Sequence, residues 1–246
     1  MLDCSGSMLE EMNGKMKFDI ARDAVKSIIN SLPDNVEVGL RVYGHRKRAI
    51  EKDADKDVEE LVRLSPLDRK TLLAKLDGLR ARGKTPLAES LSQTAKTLNG
   101  QNGPTPINVI LLTDGGEDTR PRGNPIAAAG EFAKLPNTRL KIIGFDINQE
   151  DWAKQLADMA AAGKGSYTAA ANADKLAADL VAAVAGTPGD FAVVDANGKT
   201  VAAGAFGQTI TLNPGKYQFQ TAFAGETFKQ DLYIAAGRAT SIQFTP

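Results

Sequence analysis

Three oxygen-bearing side chains stand at alternate positions near the start of the chain: Asp3, Ser5 and Ser7, in Asp3-Cys4-Ser5-Gly6-Ser7-Met8. One carboxylate and two hydroxyls are hard donors. They suit Mg²⁺ or Mn²⁺ and not a thiolate-seeking metal. The pattern fixes only three positions, and a polar turn with Ser7 as a helix cap also accounts for it. A full octahedral shell needs further oxygens, which other parts of the chain must supply.

A second string competes for the chemistry. Gly78-Leu79-Arg80-Ala81-Arg82-Gly83-Lys84-Thr85 satisfies the G-x-x-x-x-G-K-[ST] pattern of a phosphate-binding loop, and the apolar run before Asp114 could serve as its partner strand. Such a loop must leave a strand and open a helix. Here Leu72, Leu73, Leu76 and Leu79 precede it at helical spacing. Other residues read more plainly. His45 is the single histidine and sits in the basic run His45-Arg46-Lys47-Arg48, a solvated loop by composition. Ser5 is better used on a metal than in a triad with His45. Cys4, the single cysteine, reads as a small core residue, not a nucleophile. Gly115-Gly116-Glu117-Asp118 reads as turn chemistry beside Asp114, with an added cation at Glu117 or Asp118 as the lesser reading.

The elements that position these groups follow from periodicity. Phe18, Ile20, Ala21, Ala24, Val25, Ile28 and Ile29 keep a helical period that ends at Leu32-Pro33. Residues 36–43 alternate as a strand, and 58–64 form a candidate edge strand. Leucines from Leu67 to Leu79, and from Leu87 to Leu98, mark two further helices. Ile107 to Leu112 and Leu140 to Phe145 are apolar runs of strands buried on both faces. Helices are expected over 126–135, 150–162 and 173–185, with a short strand at 166–169. Alternating strands and helices predict an α/β fold: a Rossmann-like open, mostly parallel sheet flanked by helices.

Ligands bind such sheets at the carboxyl ends of the strands. The first strand ends at Asp3 and the strand at 106–113 ends at Asp114. Pairing 58–64 antiparallel to 36–43 brings the 80–86 loop to the same edge. Asp3, Ser5, Ser7, Thr85 and Asp114 then surround one point, as two carboxylates and three hydroxyls. With only two carboxylates in reach, a cation there stays electrophilic and accepts a carboxylate from a partner.

Asp3-Cys4-Ser5-Gly6-Ser7-Met8, Gly83-Lys84-Thr85-Pro86-Leu87 and Leu112-Thr113-Asp114-Gly115 together resemble the metal-ion-dependent adhesion site of a von Willebrand factor type A domain. Tyr43-Gly44-His45-Arg46 and Gly144-Phe145-Asp146 resemble its bacterial members. The resemblance covers about residues 1–186. It implies a Mg²⁺ site, with Mn²⁺ or Ca²⁺ as substitutes, at Asp3, Ser5, Ser7, Thr85 and Asp114. In that family the two serines hold the metal directly, while the threonine and the later aspartate exchange direct for water-bridged contact. The implied function is non-catalytic capture of a protein partner through an Asp or Glu carboxylate. The alternative is a nucleotide hydrolase, or an accessory subunit of one, using Gly78–Thr85.

At Thr187-Pro188-Gly189 the style changes. Residues 187–246 carry no helical period, and turn signals such as Asn213-Pro214-Gly215 separate short alternating runs. A small all-β, sandwich-like module of five or six strands is expected, beside a first domain of residues 1–186. The 246 residues are 42% hydrophobic, with 30 Lys+Arg balanced by 30 Asp+Glu, which leaves no global field for nucleic acid or an anionic membrane. No apolar run is long enough for a transmembrane helix. Only Met1 and Leu2 precede Asp3, so the first strand is expected to be truncated. On that ground a periplasmic or extracellular location is favoured, although the sequence does not fix the compartment or the oligomeric state.

Overall fold

The computed structural model describes residues 1–101, 106–119, 123–185, 190–205, 210–223, 226–240 and 242. The strands of the first part are β1 (Leu2–Asp3), a short hairpin of β2 (Glu11–Met12) and β3 (Lys15–Met16), β4 (Glu37–Tyr43), β5 (Val58–Pro66), β6 (Ile107–Thr113), β7 (Thr138–Phe145) and β8 (Tyr167–Ala170). The helices are α1 (Lys17–Ser31), α2 (Arg69–Asp77), α3 (Leu87–Leu98), α4 (Pro125–Gly130), α5 (Glu150–Ala162) and α6 (Ala173–Ala185). Six strands form one sheet in the order β5-β4-β1-β6-β7-β8. All neighbours are parallel except β4 and β5. The expected Rossmann-like fold, with its antiparallel edge strand, is therefore present.

Period-two alternation in the central strands feeds two cores. Leu112, Ile143 and Phe145 meet Phe18, Ile29, Leu72, Leu76 and Leu176 from α1, α2 and α6. Leu111, Leu140 and Ile142 meet Leu87, Leu91, Phe132 and Met159 on the other face, beside α3, α4 and α5. Burying one such side chain is worth about 1.5–3 kcal/mol. β1 lies between β4 and β6, with Asp3 opposite Tyr43 and Leu2 opposite Leu112. From β1 the chain runs first toward β4 and later to β6 on the other side. The end of β1 is thus the topological switch point, where open sheets bind ligands.

Two local features differ from the sequence reading. The expected 126–135 helix is α-helical only to Gly130 and then tightens into a 3₁₀ turn over Glu131–Lys134; glycine lowers helix propensity at that junction. The polar stretch after Ser7 holds a 3₁₀ turn, Gly6–Leu9, and then the β2–β3 hairpin. Asn13 and Gly14 turn that hairpin with φ of 52° and 78°, the two positive values a tight two-residue turn requires.

Strands β9 (Asp190–Val194), β10 (Thr200–Ala205), β11 (Gly215–Phe223) and β12 (Glu226–Ile234) form one antiparallel sheet in the order β10-β9-β11-β12. Phe191 and Phe219 pack with ring centroids 5.1 Å apart. No fifth strand and no second sheet of a sandwich is seen among the described residues of this part. The Thr187-Pro188-Gly189 boundary lies outside the described residues.

The loop between β4 and β5 borders the carboxyl edge of the sheet and folds around one carboxylate. Asp57 is 1% exposed and accepts the backbone N–H of Arg46 at 2.7 Å, that of Lys47 at 2.9 Å and Arg46 Nε at 2.7 Å. Burial pushes its carboxyl up, but these donors outweigh burial and hold it below the usual value. A depressed folded pKa means stability that is present above the ordinary aspartate value of about 3.9 and is lost as pH falls through the folded value. Asp57→Asn is expected to cost about 1–3 kcal/mol at neutral pH, the range for bonds to a charged acceptor. Urea unfolding at pH 7 and at pH 3 checks this: the gap between wild type and variant should close at the lower pH.

Candidate metal centre

The centre begins at Asp3, which is fully buried at the end of β1. Its Oδ1 accepts the Ser5 N–H at 2.7 Å. Its Oδ2 accepts Tyr43 Oη at 3.0 Å and Thr113 Oγ1 at 2.6 Å. Three adjacent strands are thus joined through one carboxylate. The bond to Ser5 also sets the turn that carries the two serines.

Ser7 Oγ donates to Asp114 Oδ1 at 2.6 Å. Its proton is committed there, so Ser5 Oγ, 3.0 Å away, donates to Ser7 Oγ. Asp3, Ser5, Ser7 and Asp114 are therefore joined in one hydrogen-bonded chain, through the Ser5 N–H at its Asp3 end and through hydroxyls beyond it. Thr85 reaches the same edge through its loop. Gly83 bridges Ser5 in parallel, and its carbonyl accepts the Gly6 N–H at 2.8 Å. Thr85 is 4% exposed, and no hydrogen bond of its hydroxyl is found among the described residues. Among the described residues no hydrogen bond links Thr85 to Ser5, Ser7 or Asp114.

Two glycines permit this approach of loops. A Cβ on Gly83 would lie 2.6 Å from Gly44 Cα and 2.8 Å from two backbone oxygens. Gly44 itself has φ of +71°, and a Cβ there would stand 2.7 Å from the Lys84 carbonyl. The contacts are backbone to backbone, so no side chain can move aside.

Residues beyond the sequence-derived set complete the centre. Asp118 Oδ1 accepts the Thr85 N–H at 2.7 Å, which ties the Thr85 loop to the loop after Asp114. Glu117 is buried; its Oε2 accepts the Ala88 N–H at 2.7 Å and its Oε1 bonds Thr119. A carboxylate at the start of α3 complements the helix dipole and an orphan donor. Both acidic residues read in sequence as turn chemistry, and their role is bracing. Lys17, the first residue of α1, is 4% exposed. Its Nζ lies 2.7 Å from Glu10 Oε2, 2.9 Å from Asp146 Oδ2 and 3.5 Å from Asp114 Oδ2. The β2–β3 hairpin delivers it there, and the Lys17 N–H bonds the Glu10 carbonyl at 2.9 Å. The Asn13-Gly14 pair was the available sequence signal for that hairpin.

The electrostatics fit a cation. Burial raises Asp3, against hydrogen bonds from Ser5, Thr113 and Tyr43. Burial, and then the Asp3 charge, push Asp114 up to about 7, with Ser7 and Lys17 opposing. Two buried carboxylates thus share too little positive charge. A divalent ion would relieve both, and the donors are all hard oxygens. Among the described residues no cluster of three or more His, Cys, Asp or Glu side chains could hold a metal. Any site here leans on hydroxyls, which makes it a weaker and more electrophilic one.

The competing phosphate-loop string has the wrong surroundings. It leaves helix α2, not a strand. Its backbone donors are used: Arg82 N bonds the Cys4 carbonyl and Gly83 N the Gly44 carbonyl, each at 2.8 Å. His45 Nε2 lies 3.0 Å from Glu59 Oε2, and Cys4 is buried in the core with its thiol pushed up by burial.

Gly83→Ala is expected to cost about 1–3 kcal/mol by overpacking. Gly130→Ala, where nothing lies within 4 Å of a new Cβ, should be neutral or stabilising. Chemical denaturation of both variants measures the difference.

Comparison with known proteins agrees with this fold. A family model described as von Willebrand factor type A domain matches residues 1–117. Two Bacillus subtilis (strain 168) proteins, the uncharacterized YwmD and YwmC, are 31% and 30% identical over 179 and 170 residues. These alignments cover 71% and 68% of this chain, and 79% and 73% of the relatives. Among solved structures, a von Willebrand factor type A protein from Catenulispora acidiphila superposes with a TM-score of 0.57 at 19% identity, over 95% of this chain and 64% of that one. The pilus adhesin SpaC of Lactobacillus rhamnosus GG gives 0.57 at 16% identity, over 88% of this chain and 32% of that one. The chain therefore spans less than two thirds of either solved protein, and the likeness to them is one of fold. On the family model, residues 1–117 of this chain belong to a von Willebrand factor type A domain.

Proposed function

We propose that the chain is a protein-binding module that captures a partner carboxylate through a divalent cation held by Asp3, Ser5, Ser7, Thr85 and Asp114. The observation that carries this reading is the hydrogen-bonded chain from buried Asp3 through Ser5 and half-buried Ser7 to buried Asp114, at the switch point of a sheet in a type A domain. Mg²⁺ suits hard oxygens, and Mn²⁺ or Ca²⁺ would substitute. Two carboxylates leave a bound divalent ion without excess negative charge around it, so an Asp or Glu of a partner is an attractive further ligand. The proposed role is capture of a partner and includes no catalytic step.

We assign the binding role to residues 1–186 and treat 187–246 as a separate β module of unassigned role. Two basic residues stand on the neighbouring loop. Arg82 and Lys84 flank Gly83 on the loop that bridges Ser5, and neither has an ion-pair partner among the described residues. Cations there would speed the encounter with an acidic partner.

Mn²⁺ titration followed by electron paramagnetic resonance separates this reading from the nucleotide alternative. Asp3→Ala and Thr85→Ala are expected to weaken Mn²⁺ binding at least about tenfold, a loss of roughly 1.4 kcal/mol or more, while Lys84→Ala stays within about twofold. Wild-type affinity in Asp3→Ala, together with MgATP binding that Lys84→Ala abolishes, would instead identify a phosphate loop.

A further inference from the structure

Lys17 is the buried charge that the proposed function leaves unused. Its side chain is 5% exposed, whereas Glu10 is 65% and Asp146 25% exposed at theirs. The ammonium therefore reaches inward, and its neighbour on that side is Asp114 Oδ2 at 3.5 Å. Asp114 is divided between two partners: Oδ1 takes the Ser7 hydroxyl and Oδ2 faces Lys17. A buried amine is costly unless it is paired, and here three carboxylates pair it. Asp146 is held for this role at the end of β7, with a left-handed φ of 56° and its N–H bonded to the Ala170 carbonyl at 2.9 Å.

The geometry points to Lys17 as a built-in counter-ion of the metal centre: it neutralises Asp114 and Asp146 when no cation is bound, and it holds divalent-cation affinity down by sharing the Asp114 charge. This rests on the metal-binding reading above. Two consequences follow. The metal-free centre stays folded because a fixed cation stands beside its carboxylates. A loaded centre has lower net negative charge, so the metal keeps its demand for an anionic ligand from outside. Lys17 is thus a positioning residue for Asp114 and a determinant of ion affinity.

Calorimetric titration of the full chain with Mg²⁺ alone provides the test. Lys17→Gln, which keeps a donor and removes the charge, is expected to bind Mg²⁺ about tenfold more tightly. Its metal-free form should melt below wild type, and saturating Mg²⁺ should raise its Tm by more than it raises that of wild type. Lys17→Arg, which keeps the charge, should stay closer to wild type on both readouts. Should Lys17→Gln fail to fold, Asp146→Asn supplies the second arm. With Asp146 neutral, the Lys17 charge bears more fully on Asp114, and Mg²⁺ binding should weaken several-fold. Wild-type Mg²⁺ binding with an unchanged or weaker affinity in Lys17→Gln overturns the counter-ion role and leaves the metal site standing. In the second arm, unchanged binding in Asp146→Asn does the same. Absence of Mg²⁺ binding by wild type overturns both.

Discussion

The Asp3 carboxylate is the interaction on which the rest of the centre depends. It sits at the end of the shortest strand of the main sheet, yet it receives bonds from the Ser5 backbone, from Tyr43 on β4 and from Thr113 on β6. A buried carboxylate without partners is expensive, and these donors offset much of that cost. They also fix geometry. Asp3 orients the serine turn, aligns the ends of three strands and sets the spacing between Ser7 and Asp114. The loops farther out, those of Gly83 and Asp118, attach to this frame through backbone hydrogen bonds and glycine contacts.

Around that frame the balance of charge decides the chemistry. Asp3 and Asp114 are both buried, and burial together with the Asp3 charge moves Asp114 up to about 7. Lys17 supplies the one buried positive charge within reach of Asp114 among the described residues. The proposed centre of two carboxylates, three hydroxyls and a neighbouring ammonium would suit a cation of moderate affinity that still seeks an anionic ligand. That combination suits reversible capture better than permanent structural loading, because binding then responds to both metal and partner.

Much of this was legible in the sequence, and what was not had physical reasons. The helices and buried strands followed from apolar spacing, since each face of the sheet demands its own period. The Asp3-x-Ser5-x-Ser7 turn could be joined to Asp114 because parallel strands place their carboxyl ends on one edge. Lys17 was not legible: a lysine at the start of a helix is usually solvated, and the Asn13-Gly14 hairpin is what folds it inward. Glu117 and Asp118 looked like turn residues, because their bonds run to Ala88 and Thr85, about thirty residues away, and such long-range pairing leaves no local pattern. The Gly78–Thr85 string shows the opposite failure. It satisfies a motif letter by letter, while helix α2 ahead of it and the committed donors of Arg82 and Gly83 deny it the physics of a phosphate loop.

The central claim is that the oxygens of Asp3, Ser5, Ser7, Thr85 and Asp114 hold one divalent cation. Anomalous diffraction from crystals grown with Mn²⁺ tests it most directly. The account predicts one strong Mn²⁺ peak in contact with the Ser5 and Ser7 hydroxyls, lost in Asp3→Ala crystals. Mn²⁺ found only elsewhere on the chain, or a peak that persists unchanged in Asp3→Ala, would contradict it.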